Sequence, residues 1–261
     1  MIGIIGGAGT IGQIIMKGIS EDKELSKMGI TFSGRGGDNM REIEEKYDIK
    51  SSSNENLVKD SDIIFVSVKP QDFVNFTPFD IKGDKIVISV MAGITVSSIE
   101  KIFPKATIVR SMPNLGGFVS KSTTGWYSPN INNEEEILIK KCLSSFGTEV
   151  KLESDDDIDK FTALVGSGPA YLYFFMQTLA EKGVEFGFKE EEVKNIIFKL
   201  IDGSFDYIST NNACPADLIK KVSSKGGSTE AAINYLEDNK VKKLFKEAIN
   251  EAYEKNKKLS Q

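Results

Sequence analysis

The chain has no histidine among its 261 residues. That removes the commonest general acid–base and metal-ligating side chain, and with it Ser-His-Asp and Cys-His catalysis. Chemistry must come from hydroxyls, carboxylates, lysines, backbone groups or a cofactor. Cysteine is scarce as well: Cys142 and Cys214, the only two, lie far apart. They suit neither a disulfide framework nor a metal cage and point to a reducing, cytoplasmic setting. Positive charge is not in excess, since 33 Lys and Arg face 38 Asp and Glu for a net charge of −5. No basic stripe stands out, which argues against a nucleic-acid partner, and an acidic surface disfavours anionic membranes. No apolar run approaches the length of a membrane span. The opening MIGIIGGAGTIG is apolar but lacks a basic leader and a cleavage site, so it reads as a strand and not a signal peptide. There is no internal repeat and no low-complexity tract.

What is present fits a packed globular protein, with 40% hydrophobic and 27% charged residues, long enough for one large domain or two modest ones. Short apolar runs at Ile2–Ile5, Ile30–Ser33, Ile63–Val68, Ile86–Val90 and Thr107–Arg110 alternate with amphipathic segments such as Ile11–Ser20 and Asn39–Tyr47. Thr123–Tyr127 and Gly147–Leu152 extend the set. Strands apolar throughout predict a parallel sheet wrapped by helices. From about Asp155 the period becomes helical. Ser167-Gly168-Pro169 interrupts it, Ala170–Phe186 resumes it, and further helices are expected at Glu190–Ser209, Pro215–Val222, Ser228–Asn239 and Val241–Lys258. The expected architecture is α/β, an N-terminal parallel-sheet domain over 1–153 followed by an all-helical domain over 154–261. The acidic run Glu153–Asp159 fits that boundary, because carboxylates favour a helix N-terminus, and its charge reads as a solvated linker rather than a metal site. Gly166-Ser167-Gly168-Pro169 should kink the long helix. Tyr171, Tyr173, Phe174, Phe175 and Met176 make that helix apolar nearly all round, which predicts burial on several sides.

Gly7-Ala8-Gly9-Thr10-Ile11-Gly12 is a G-x-G-x-x-G placed directly after a strand and at the start of a helix. The first glycine permits a tight turn, the second lets a pyrophosphate approach the backbone, and the third lets helix and strand pack closely. The helix start then offers N–H donors and a positive dipole end. In this context the motif marks a Rossmann-type dinucleotide site. An NAD site usually ends its second strand in Asp or Glu for the ribose 2′-OH. Here that segment reads Thr31-Phe32-Ser33-Gly34-Arg35, a hydroxyl and a guanidinium, which suit a 2′-phosphate. NADP(H) is therefore favoured, with NAD(H) possible. A second glycine cluster, Val222-Ser223-Ser224-Lys225-Gly226-Gly227-Ser228-Thr229, precedes a helical pattern. Its N–H groups around Gly226, Gly227 and Ser228 can form an anion-binding nest. Ser228 or Thr229 can equally serve as a helix cap.

These pieces together resemble the pyrroline-5-carboxylate reductase family over nearly the whole chain. They occur in order: the glycine loop, Asn54 ahead of Asp62, Val68-Lys69-Pro70-Gln71, Ala92-Gly93-Ile94, Arg110-Ser111-Met112-Pro113-Asn114, Gly166-Ser167-Gly168-Pro169-Ala170-Tyr171, and Pro215-Ala216-Asp217-Leu218 before the second glycine cluster. Two departures stand out. Lys225 replaces the family's usual proline, which would pre-set the loop backbone, and Leu115-Gly116-Gly117 replaces Thr-Pro-Ala.

The resemblance implies NADPH-dependent reduction of 1-pyrroline-5-carboxylate to proline, the last step of proline biosynthesis, in a homodimer or higher homo-oligomer without metal. It implies that Gly7, Gly9, Thr10, Ile11 and Gly12 cradle the pyrophosphate, that Ser33 and Arg35 hold the 2′-phosphate, and that Asn54 lies on the adenosine side. Val68, Lys69, Pro70, Ala92 and Gly93 would border the ribose and nicotinamide, with Lys69 part of a strand-end turn rather than a catalytic amine. Gly226, Gly227 and Ser228 would hold the substrate carboxylate, Ser224 would support the loop, and the Thr229 hydroxyl would face the ring nitrogen as the catalytic group. Two other readings stay open: reduction of another small imine or carbonyl compound, prompted by the two departures, and a reductase-like regulatory protein that binds nucleotide without turnover.

Overall fold

The computed structural model describes residues 1–259. Seven strands, β1 (Ile2–Ile5), β2 (Ile30–Ser33), β3 (Ile63–Val66), β4 (Ile86–Ser89), β5 (Thr107–Met112), β6 (Ser122–Tyr127) and β7 (Gly147–Lys151), form one sheet in the order β2-β1-β3-β4-β5-β6-β7. The strands from β2 through β5 are parallel, β6 runs antiparallel to β5, and β7 parallel to β6. The α/β architecture anticipated above is the one observed. The continuous apolar runs follow from burial on both faces. Ile63 and Phe65 enter one core with Ile4, Phe32, Ile88 and Trp126, while Ile64 and Val66 enter the other with Ile5, Val87 and Phe103. Each fully buried side chain of this size contributes roughly 1.5–3 kcal/mol.

Helices α1 (Thr10–Glu21), α2 (Asp38–Tyr47), α3 (Asn54–Asp60), α4 (Pro70–Phe73), α5 (Val96–Ile102) and α6 (Asn133–Ser144) cover the sheet. Their starts are written in local chemistry. Ser53 and Thr95 cap α3 and α5 through their hydroxyls. Asn132 and Glu135 form a reciprocal capping box at α6, which satisfies donors the first turn leaves unpaired. At the other end of α3, the buried Lys85 donates from Nζ to the carbonyls of Ser61 at 2.6 Å and Lys59 at 3.1 Å.

The acidic run is not a solvated linker. Ser154 caps α7 (Asp155–Phe161), accepting from the Asp157 N–H at 3.1 Å. Two of its carboxylates close on Arg110, which is fully buried at the end of β5. Asp155 Oδ1 lies 2.8 Å from Nη1 and Asp159 Oδ1 lies 2.5 Å from Nη2. Sequence reading missed this because the partner lies 45 residues upstream. After α7 comes a π-helical turn, Thr162–Gly166. Its closing bond, from Ser167 N–H to the Thr162 carbonyl at 2.8 Å, absorbs the glycine interruption before the next helix.

Helices α8 (Gly168–Glu185), α9 (Glu190–Asn211), α10 (Pro215–Val222), α11 (Ser228–Asp238) and α12 (Val241–Leu259) complete the chain. The chain forms two compact units, one of Met1–Ser167 with the end of α12 from Ala252, the other of Gly168–Glu251. In the second unit Phe245 packs edge-on to Tyr171 and Phe175, with centroids 5.5 and 5.4 Å away. The expected burial of α8 on several sides is not found within this chain. None of its residues is buried, and Leu172 and Phe174 are each 66% exposed. Phe186, Phe198 and Phe205 are exposed in the same way.

Asp159→Ala should destabilise the protein by about 3 kcal/mol, the low end for a broken buried ion pair because Asp155 still holds the guanidinium. Urea unfolding of the two proteins gives the comparison, and a loss under about 1 kcal/mol, the value of a surface pair, would show that the pair is not structural.

Candidate active site

The sheet order reverses at β1, between β2 and β3, and a crevice outside the carboxyl ends of the strands is the expected ligand position there. A cleft of about 390 Å³ opens at that point. It is lined by Gly9, Ser33, Arg35, Asn54, Val68 and Lys69 among the expected residues. The structure gathers these six. Sequence reasoning missed Asn39, Ser67, Asp72 and Phe76, which also line it. Asp72 follows directly on Val68-Lys69-Pro70-Gln71, which was the available signal.

The glycine loop divides its work differently from the expectation. The left-handed turn falls on Gly6, at φ +80°, not on Gly7. Gly7 is required by proximity instead, because a Cβ there would stand 2.6 Å from Phe32 Cβ. A Cβ on Gly12 would stand 2.6 Å from Gly7 Cα and 2.7 Å from the Gly6 carbonyl oxygen. Gly9 is the cap residue of α1, and no side chain caps that helix. The first-turn N–H groups of α1, from Thr10, Ile11 and Gly12, are therefore left to a ligand, and the turn is bare enough for a pyrophosphate to approach. This cradle fits a dinucleotide on steric grounds and by its donors.

At the end of β2, Ser33 is buried and its hydroxyl donates to Asn54 Oδ1 at 2.6 Å. Arg35 is not a free surface arginine: its guanidinium pairs with the Asp72 carboxylate. Lys69 is the cap residue of α4, with Pro70 in the first turn, as the strand-end reading anticipates. Pro70, Ala92 and Gly93 do not line the cleft, and neither do Gly7, Thr10, Ile11 and Gly12. Gly93 has φ +69°, and a Cβ there would stand 2.3 Å from Leu259 Cβ. The Leu115-Gly116-Gly117 departure has a packing cause. A Cβ on Gly117 would stand 2.3 Å from Ile14 Cγ2 on α1, and one on Gly116 2.6 Å from the Lys121 carbonyl oxygen. Thiol chemistry at Cys142 is ruled out by burial, which pushes its pKa up to about 12 and leaves essentially no thiolate at neutral pH.

The second glycine cluster belongs to the second unit. Gly226 takes φ +75°, and Gly227 caps α11 without a side-chain cap. Ser228 and Thr229 therefore lie inside the first turn, and neither is the cap. A Cβ on Gly227 would strike Ser224 Oγ at 2.5 Å, so Ser224 supports the loop by close packing. The Gly226 N–H donates to the carboxylate of Glu230 at 2.7 Å. The loop thus already grips a carboxylate.

A dinucleotide cleft at the switch point of a parallel sheet, with a serine and an arginine at the end of the second strand, defines a Rossmann-like NADP-dependent oxidoreductase. The comparisons agree and go further. Residues 1–93 match the family model described as NADP oxidoreductase, coenzyme F420-dependent. Residues 155–259 match the one described as pyrroline-5-carboxylate reductase dimerisation. A pyrroline-5-carboxylate reductase from Staphylococcus haemolyticus is 30% identical over 97% of this chain and 96% of its own length. The crystal structure of 1-pyrroline-5-carboxylate reductase from Streptococcus pyogenes has a TM-score of 0.89 at 28% identity, covering 98% of each chain. That of the Plasmodium falciparum enzyme with NADP bound has a TM-score of 0.87 at 27% identity, covering 100% of this chain and 98% of the other. The chain belongs to the pyrroline-5-carboxylate reductase family. Among the described residues no helix is long and apolar enough to cross a membrane, and no group of His, Cys, Asp or Glu could hold a metal ion.

Gly12→Ala should weaken NADPH binding by about tenfold or more, since the added methyl must displace backbone on which the phosphate geometry rests. Fluorescence titration beside an unchanged far-UV spectrum tests this; full affinity in a folded variant would remove the loop from the site.

Proposed function

We propose that this protein reduces 1-pyrroline-5-carboxylate to proline with NADPH, in a homodimer. The observation that carries the substrate side is the Gly226 N–H, which holds a carboxylate at the start of an eleven-residue helix. A carboxylate-bearing substrate would exchange with Glu230 there and gain the first-turn donors of α11 as well. In this reading residues 1–153 are the dinucleotide-binding domain, and 154–261 the helical substrate-binding and dimerisation domain. The unpartnered apolar faces of α8 and α9 support the dimer, because exposure on this scale marks an interface.

Each side chain then has a task suited to a chain without histidine. Thr10, Ile11 and Gly12 hold the pyrophosphate by their first-turn N–H donors, while Gly7 and Gly9, whose own N–H groups bond the Ser33 and Gly6 carbonyls, leave room for it by lacking side chains. Ser33 and Arg35 take the 2′-phosphate, and Asn54, fixed by Ser33, takes the adenosine side. Val68, Lys69, Pro70, Ala92 and Gly93 border the ribose and nicotinamide. The bound coenzyme supplies a hydride for the imine carbon. Gly226, Gly227 and Ser228 orient the substrate by its carboxylate, and the Thr229 hydroxyl accepts a hydrogen bond from the ring N–H of the protonated imine, which needs no further proton to become the amine. A cyclic iminium is already electrophilic, so the protein's contribution is positioning and water exclusion, and near-attack geometry is worth up to about 7–11 kcal/mol. NADPH is preferred to NADH because a guanidinium and a hydroxyl favour a phosphate over a bare 2′-OH.

The direct test is coenzyme oxidation with 1-pyrroline-5-carboxylate, run with NADPH and NADH in parallel. Saturable turnover with the better kcat/KM for NADPH is expected. Coenzyme binding without turnover would instead support action on another imine or a regulatory role. Thr229→Ala should lower kcat/KM by about tenfold to a hundredfold, and wild-type turnover in that variant would dismiss its role. Glu230→Gln removes the competing charge but keeps an acceptor for Gly226. It should lower the substrate KM by about twofold to fivefold with kcat little changed, whereas a raised KM would mean that Glu230 shapes the nest and does not occupy it.

A further inference from the structure

The second strand ends without a carboxylate, yet the cleft contains one. Asp72 reaches in from α4, 37 residues further along the chain, and pairs with Arg35. The charged residues lining the cleft are Arg35, Lys69 and Asp72. Lys69 has no ion-pair partner among the described residues. The carboxylate therefore cancels one of two positive charges where the 2′-phosphate is read. The Arg35 side chain is 80% exposed and that of Asp72 35% exposed, so the guanidinium rests on an anchored carboxylate and has little else to hold it.

We propose that Asp72 is the residue that sets coenzyme selectivity, by holding Arg35 and so restraining the preference for NADPH over NADH. This rests on the reading that Arg35 receives the 2′-phosphate. A phosphate binds a guanidinium best through two parallel N–H donors, and one of these, on Nη2, is already engaged by Asp72. Binding NADPH requires either that this bond be given up or that phosphate and carboxylate share one cation at close range, which costs affinity. NADH carries no charge at that position. Its binding leaves the pair of Arg35 and Asp72 intact. Asp72 therefore competes with the 2′-phosphate for the one guanidinium that would read it. The two side chains together make a cleft that takes both coenzymes and favours one.

Dissociation constants of NADPH and NADH, measured by nicotinamide fluorescence on wild-type protein and on Asp72→Asn, Arg35→Ala and the double variant, test the proposal without relying on turnover. Asp72→Asn should raise the ratio of NADPH to NADH affinity by about threefold to tenfold, the range of an ion pair of this exposure engaged with a charged ligand. In the Arg35→Ala background the same substitution should change the ratio less than about twofold, and the effect in the Arg35 protein should shrink with added salt. An unchanged or lower ratio in Asp72→Asn, with NADPH binding still lost in Arg35→Ala, would overturn the proposal and leave the role of Arg35 intact. An equal gain in both backgrounds would mean that the carboxylate repels phosphate directly, and would overturn the holding role. Undiminished NADPH affinity in Arg35→Ala would remove the reading of Arg35 and the proposal with it. Asp72→Ser, which also removes the charge, serves as the second variant should the asparagine fail to accumulate.

Discussion

A guanidinium without access to water ends the parallel part of the sheet, and much of the first unit is arranged to satisfy it. Arg110 lies on β5, next to the antiparallel strand β6, and receives Asp155 and Asp159 from α7 together with the Asp155 backbone carbonyl at 3.1 Å. The same short helix reaches elsewhere. Asp155 also accepts from the Val96 N–H at 3.4 Å, at the start of α5. The Asp159 carbonyl accepts from Asn256 at 3.3 Å, and Asp156 accepts from the Tyr253 hydroxyl at 2.5 Å, both on the end of α12. A buried ion pair is not in itself a source of stability, since desolvation offsets most of its attraction. Its consequence is positional: with Arg110 in place, α7 has one orientation that leaves no charge stranded. The Nε of Arg110 still finds no partner among the described residues, so the arrangement is close to the least that a buried guanidinium tolerates.

The nucleotide cleft obeys a different constraint, the lack of room. Gly7, Gly12 and Gly117 each stand where a single added carbon would meet a neighbour at 2.6 Å or less. α1 is held through Gly12 against the Gly6-Gly7 turn on one side and through Ile14 against the Leu115–Val119 turn on the other. Because α1 cannot shift, its bare first turn stays aimed at the carboxyl ends of β1 and β3, where a pyrophosphate needs donors and a dipole end. The chain departs from its family's usual Thr-Pro-Ala at this turn, and the close approach of Ile14 accounts for glycine at Gly117. The departure thus belongs to packing, which weakens the case it raised for a different substrate.

Strands β1, β3 and β4 were legible because each is a short apolar run buried on both faces, whereas β6 and β7 carry polar residues and continue the series by position. Helices α1, α2 and α8 to α12 were legible from period and breakers, and the glycine loop from its spacing, whereas the helices α3 to α6 had not been singled out. What escaped was whatever depends on a partner distant in sequence. The Arg110 pairing draws two carboxylates of an apparently solvated run into buried contact, and the Asp72 pairing puts an acidic group beside an arginine whose own strand end has none. Local reading also placed the left-handed turn one glycine too late, since two consecutive glycines offer no steric cue as to which takes φ above zero. Likewise it could not tell whether Ser228 and Thr229 cap α11 or sit within it, because either assignment satisfies a first-turn donor.

These misses share a physical origin that also bears on chemistry. A chain without histidine has few ways to place a proton or a charge at neutral pH, so its selectivity must be built from carboxylates, lysines and arginines in fixed pairs. Two such pairings fall within the residues proposed to bind ligands: Glu230 on the Gly226 N–H and Asp72 on Arg35. In each, an internal carboxylate occupies a donor that an anionic ligand would use. A donor left bare would bind its ligand more tightly, but it would be solvated and mobile, and ordering it would cost part of that affinity. An internal carboxylate keeps the donor in place while the site is free. The ligand then exchanges one charge-assisted hydrogen bond for another instead of forming one from disorder. Such exchange favours moderate affinity in geometry set beforehand, which suits a reaction whose acceleration rests on positioning more than on acid or base strength.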